Sequence, residues 1–111
     1  MALPKSQRLS LRFHRDRLTR EGHTSRGHFF TVVSAPFSDQ SLSSARFAII
    51  VSKKTASLAV DRNRLKRITT SLLQQLSNSI FPADYMVIPQ RQVLQESEQA
   101  LLADLKKIFS K

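Results

Sequence analysis

Apolar residues recur along the chain with two different periods, and the switches between them mark the elements. Phe29–Ser34 is aromatic and β-branched, which predicts a strand. In such a strand Phe29, Thr31 and Val33 point one way, and Phe30 and Val32 the other. Phe47–Val51 is a continuous apolar run, the mark of a buried strand. From residue 61 the period lengthens: Leu65, Ile68, Leu72 and Leu76 fall at helical spacing on one stripe, with Asp61 or Ser57 as the expected cap. Pro82 breaks that pattern, and Tyr85–Ile88 forms a short strand stopped by Pro89. Leu94, Leu101, Leu102, Leu105, Ile108 and Phe109 predict a last helix, with Lys106, Lys107 and Lys111 near its end, where the helix dipole favours cations. At the other end, Leu9, Phe13 and Leu18 suggest a short first helix before Gly22 and Gly27, and Ala35–Ser44 is a proline- and serine-bearing loop. The order helix, strand, strand, helix, strand, helix predicts an α+β two-layer sandwich, a small sheet with helices packed on one side. One domain spans residues 1–111, with residues 1–8 expected to be flexible.

Charge narrows the function. Eighteen Lys and Arg against eight Asp and Glu leave a net charge of +10. A small domain this basic repels itself unless a polyanion is near, and nucleic acid is the default partner. A membrane is not expected: no apolar run approaches a spanning length, and the first twelve residues lack the apolar stretch of a signal peptide. Without cysteine there is neither a disulfide framework nor a thiolate zinc site, which fits a reduced, cytoplasmic protein. His14, His23 and His28 have no ligand-like spacing, so no metal site and no protein-borne cofactor are expected. No Ser/His/Asp arrangement, phosphate-cradling glycine loop or carboxylate pair is visible, and no catalytic residue is assigned. No helix-turn-helix spacing points to DNA.

The densest chemistry is the run Asp61-Arg62-Asn63-Arg64-Leu65-Lys66-Arg67. A helix start carries partial positive charge, so Arg62 and Arg64 beside it cost stability. On a helical wheel Asn63, Lys66, Arg67, Thr70 and Gln74 lie opposite the leucine stripe, flanked by Arg62 and Arg64. An ordinary solvated helix face interleaves signs, whereas no acid follows Asp61 until Asp84. Guanidinium forks match phosphate, and an asparagine amide can read a base or a 2′-hydroxyl. Lys53 and Lys54 end the preceding strand and join this patch if strand and helix are neighbours; Arg91, after the next strand, extends it. The sheet's outer side is a second candidate surface, since exposed aromatics beside cations can stack unpaired bases, although the sequence fits a core role for both sets of strand side chains at least as well.

Val51-Ser52-Lys53-Lys54, a gap of seven residues, then Arg62-Asn63-Arg64-Leu65-Lys66-Arg67 resembles the signature of the bacterial ribonuclease P protein component. Ala83–Ile88 is similar to that family's later strand, Arg91 falls where it often carries a basic residue, and residues 94–109 are similar to its terminal helix. The resemblance implies the non-catalytic protein subunit of an endoribonuclease whose catalysis is carried by RNA and which matures the 5′ end of tRNA. It implies a left-handed βαβ crossover in the sandwich, and two partners: the ribonuclease P catalytic RNA and precursor tRNA. Lys53, Lys54, Arg62, Asn63, Arg64, Lys66, Arg67 and Arg91 would bind RNA. A cleft between the first helix and the sheet would hold the single-stranded 5′ leader, with Phe13, Arg17, Phe29, Thr31 and Val33 as candidates. Mg2+ would belong to the RNA active site. The family usually continues its helix with arginine and glutamate where this chain has Thr70 and Ser71. The alternative is a ribosomal or other structural RNA-binding protein with no processing role, which the motif, not the composition, disfavours.

Overall fold

Mixed strand pairing organises the molecule. A computed structural model of the chain describes residues 20, 22–35, 45–76, 80–81 and 83–109. Strands β1 (His23–Arg26), β2 (Phe30–Ala35), β3 (Arg46–Ile49) and β4 (Asp84–Pro89) form one sheet in the order β1-β2-β4-β3. β1/β2 and β2/β4 are antiparallel, whereas β3/β4 is parallel. Parallel neighbours need a crossover, and helix α1 (Ala59–Leu76) supplies it. A 3-10 turn (Arg91–Gln95) then leads into α2 (Glu98–Phe109). The α+β sandwich with a small mixed sheet is therefore the architecture found. The expected first helix, the loop at 36–44 and the break at Pro82 lie outside the described residues.

Alternation assigns the two faces. Phe30, Val32, Phe47, Tyr85 and Val87 belong to one core cluster with Leu65, Leu72 and Leu73 of α1 and Leu101 and Leu105 of α2. Both described helices thus cover the same face of the sheet. Phe47 stacks on Tyr85 at 5.6 Å, and Phe109 meets each of them edge-on, which fastens the end of α2 to the sheet. The opposite face carries Thr31, Val33, Ala48, Met86 and Ile88, paired across β2, β4 and β3. Arg46 and the fully buried Asp84 occupy facing register positions and form a two-pronged ion pair at 2.7 and 2.8 Å.

The structure corrects several expectations. β1 is an element the pattern does not predict: between Gly22 and Gly27, after the expected first helix, His-Thr-Ser-Arg forms a mostly exposed edge strand with no apolar alternation to announce it. α1 begins two residues before Asp61, and its first helical bond joins the Arg62 amide to Leu58 O, so Leu58 holds the cap position rather than Ser57 or Asp61. Leu94 falls in the 3-10 turn, because Ser97 starts α2 by accepting a bond from the Ala100 amide at 3.2 Å.

Phe29 is the largest displacement. It precedes β2 and packs against the helix-side core, while Thr31 and Val33 lie on the opposite face. Strand alternation does not reach it, because Phe29 sits in the β1–β2 hairpin loop with its amide bonded to Asp104 at 3.0 Å. The same carboxylate accepts the His28 amide at 2.8 Å.

Candidate nucleic-acid interface

The basic run falls on α1 as the leucine stripe dictates. Leu65, Leu72, Leu73 and Leu76 are buried against the sheet and α2, together with Thr69, whose hydroxyl donates to Leu65 O at 2.7 Å. That anchoring turns Asn63, Arg64, Lys66 and Arg67 out to solvent. Lys53 and Lys54 are also exposed, in the turn that follows β3. Among the described residues, none of Lys53, Lys54, Arg64, Lys66 and Arg67 has an acidic partner.

Local hydrogen bonds fix the turn that presents the lysine pair. The Thr55 and Ala56 amides donate to Ser52 O at 3.1 and 3.2 Å, and the Ser52 and Thr55 hydroxyls lie 3.2 Å apart. Ala56 is buried, which anchors the far side. Arg62 differs from the other cations: it is half-buried, and its Nη1 donates to Ala56 O and Ser57 O, each at 2.9 Å.

The strand pairing brings Arg91 to the same end of the molecule. Ile50 N donates to Val87 O at 3.0 Å, which continues the β3/β4 ladder toward the lysine turn. Gln90 N donates to Phe29 O at 2.9 Å, which ties the start of the 3-10 turn to the hairpin loop. The exposed Arg91 follows directly. One end of the sheet thus carries the lysine turn, the start of α1 and Arg91.

Two apolar side chains share this surface, and the sequence reading missed them. Leu58 is 64% exposed and Val60 71% exposed at the start of α1. Val60 lines a shallow hollow with Asn63, Lys66 and Arg67. Val60 carried a signal, since it lies opposite the leucine stripe; Leu58 falls on the stripe's own spacing, seven residues before Leu65, and its exposure goes with its place ahead of the helix. A groove on the other flank of α1 runs from Arg64 and Arg67, past Ile68 and Ser71, to Leu94, Glu96 and Glu98.

Of the five leader-cleft candidates, Thr31 and Val33 share the outer face with Ile88 and Met86. Phe29 does not join them, and Phe13 and Arg17 lie outside the described residues. The hairpin register pairs Arg26 with Thr31 at the margin of that face, a cation that the unrecognised β1 concealed. The described residues contain no group of three or more His, Asp or Glu placed to hold a metal ion, and no helix long and apolar enough to cross a membrane.

Fold and surface together define a small basic α+β protein that presents unpaired cations, an amide and two apolar side chains at one end of its sheet. The chain matches the family model for ribonuclease P over residues 3–111, and it belongs to the ribonuclease P protein family. It is similar to the ribonuclease P protein component of Mycoplasma genitalium, 36% identical over 84 residues that cover 72% of this chain and 66% of that one. The corresponding protein of Coprothermobacter proteolyticus is 28% identical over 95% of this chain and 83% of its own length. Among solved structures, a ribonuclease P protein from Thermotoga maritima superposes with a TM-score of 0.81 at 23% identity, covering 94% of this chain and 98% of that one. A Staphylococcus aureus ribonuclease P protein gives 0.80 at 23% identity, covering 96% and 87%. At such identity these two likenesses concern the fold.

Proposed function

We propose that this chain is the protein subunit of a cytoplasmic ribonuclease P and assists endonucleolytic maturation of the tRNA 5′ end. The observation that carries the reading is the acid-free row Asn63, Arg64, Lys66 and Arg67 on α1, set beside Lys53 and Lys54. Cations held on a rigid helix neutralise phosphates where RNA strands approach one another, and they release counterions in doing so. This surface, with Arg91, binds the catalytic RNA. The outer face bearing Thr31 and Val33, bordered by Arg26, faces the 5′ leader of precursor tRNA. Magnesium is expected on the RNA, where it stabilises the oxygens of the displacement. The residues of this chain bind, orient and neutralise; they perform no bond-breaking step.

The test is reconstitution. A bacterial ribonuclease P RNA at low magnesium should cleave precursor tRNA much faster with this protein than without it. Equal rates with and without the protein would leave a structural RNA-binding role instead, and cleavage by the protein without any RNA would make it a nuclease in its own right.

A further inference from the structure

We infer that Arg62 is a positioning residue: it clamps the turn bearing Lys53 and Lys54 rather than meeting phosphate itself. The inference rests on the reading above, that those lysines contact RNA.

A lone guanidinium at a helix start opposes the dipole. Arg62 escapes that penalty by folding back. Both hydrogens of Nη1 are spent, one on Ala56 O and one on Ser57 O, each at 2.9 Å. These carbonyls precede α1 and have no helical amide to accept, since the first helical bond is made by Leu58 O. The guanidinium therefore satisfies acceptors left over at the helix start, and their partial negative charge offsets its unfavourable site. Charge-assisted bonds of this kind are roughly twice as strong as neutral ones.

The geometric consequence reaches the lysines. Ala56 is the residue whose amide closes the turn onto Ser52 O, and Lys53 and Lys54 lie between them. Arg62 grips the same residue from its carbonyl side. The turn is thereby held at Ser52 by its own bonds and at Ala56 and Ser57 by α1. The helix that displays Arg64, Lys66 and Arg67 thus sets where the lysine pair sits, so the two halves of the patch arrive at RNA with a fixed spacing. Preorganisation of this sort strengthens binding by removing the ordering cost. Arg64 and Arg67 have no such bonds and stay exposed, so arginines within one short motif have different tasks.

A double-mutant cycle tests this with ribonuclease P RNA as the ligand and the full chain as the protein. Arg62→Ala should weaken RNA binding about tenfold in the native background, and less than about twofold when Lys53 and Lys54 are already alanine. In the free protein, amide exchange at Thr55 and Ala56 should speed up in Arg62→Ala and not in Arg64→Ala. Citrulline in place of Arg62, introduced by chemical synthesis, keeps the terminal NH2 donor and removes the charge. It should restore amide protection and most of the affinity, a rescue that a phosphate contact would not allow, and it serves if Arg62→Ala does not fold. Equal loss in both backgrounds, or citrulline as weak as alanine, would overturn the clamp alone. Native affinity in the Lys53→Ala/Lys54→Ala protein would overturn the interface reading and the inference with it.

Discussion

Asp104 holds the β1–β2 loop by a means that the loop's own backbone does not supply. The Gly27 amide donates to Phe30 O at 2.8 Å, which leaves His28 and Phe29 as a two-residue loop. Such loops usually adopt primed turns with positive φ, yet no described residue has a positive φ. The His28 and Phe29 amides are instead collected by the Asp104 carboxylate. A Cβ on Gly27 would come within 2.5 Å of that carboxylate, so the glycine is required by close approach, not by backbone conformation. Asp104→Ala should cost on the order of 3 kcal/mol in denaturant unfolding by stranding both amides. Gly27→Ala should cost a similar amount, and the double variant little more than either single one, because both break the same contact. A second prediction concerns Tyr85, whose hydroxyl donates to Phe81 O and whose pKa is pushed above its ordinary value of 10.0 by burial. Between the unfolded and the raised folded pKa the folded state binds more protons, so stability is intact below about pH 10 and falls as pH rises further. Tyr85→Phe should remove that part of the alkaline loss of melting temperature and cost about 1 kcal/mol at neutral pH.

At the scale of the element, α1 separates two kinds of contact along one exposed row. Lys66 offers charge, and Val60, in the same hollow, offers apolar surface. Lys66→Ala should weaken RNA binding and reduce the slope of log affinity against log salt by about one. Val60→Ser should weaken binding with the slope unchanged, because no counterion is released at an apolar contact. Titrations at several salt concentrations separate the two, and a shallower slope for Val60→Ser would remove it from direct contact. The legible part of this helix was its period: Leu65, Leu72 and Leu76 fixed which face is buried and so which cations are displayed. Thr69 was not legible, since a buried threonine depends on its bond to Leu65 O. The backbone bonds of Arg62 were not legible for a related reason. Periodicity puts it at the margin of the polar face, while its partners are backbone carbonyls, which every sequence has and no side-chain pattern marks. β1 escaped because an exposed edge strand needs no apolar residues, and with it went the register that shows Arg26 beside Thr31. The remaining strands were legible because each buries at least one face.

For the whole molecule, the net charge of +10 links folding to its partner. Asp84 is committed to Arg46 and Asp104 to the hairpin amides, so two of the eight acids are engaged in holding the sheet together. Six cations lie between residues 53 and 67, with Asp61 as the single acid among them. Packing fixes these charges close together, whereas the unfolded chain can spread them apart, so self-repulsion burdens the folded state more. Anything that screens or binds the patch therefore stabilises the fold by mass action. The melting temperature should rise with added inorganic phosphate, and more per unit of ionic strength than with chloride, because phosphate can bridge neighbouring guanidinium and ammonium groups while chloride mainly screens. Arg64→Ala/Lys66→Ala/Arg67→Ala should melt higher than the native chain at low salt and respond less to phosphate, even as it loses RNA affinity. Such an exchange of stability for binding is the signature of charges retained for a partner; a triple variant that melts lower, with an unchanged phosphate response, would show that these residues serve the fold.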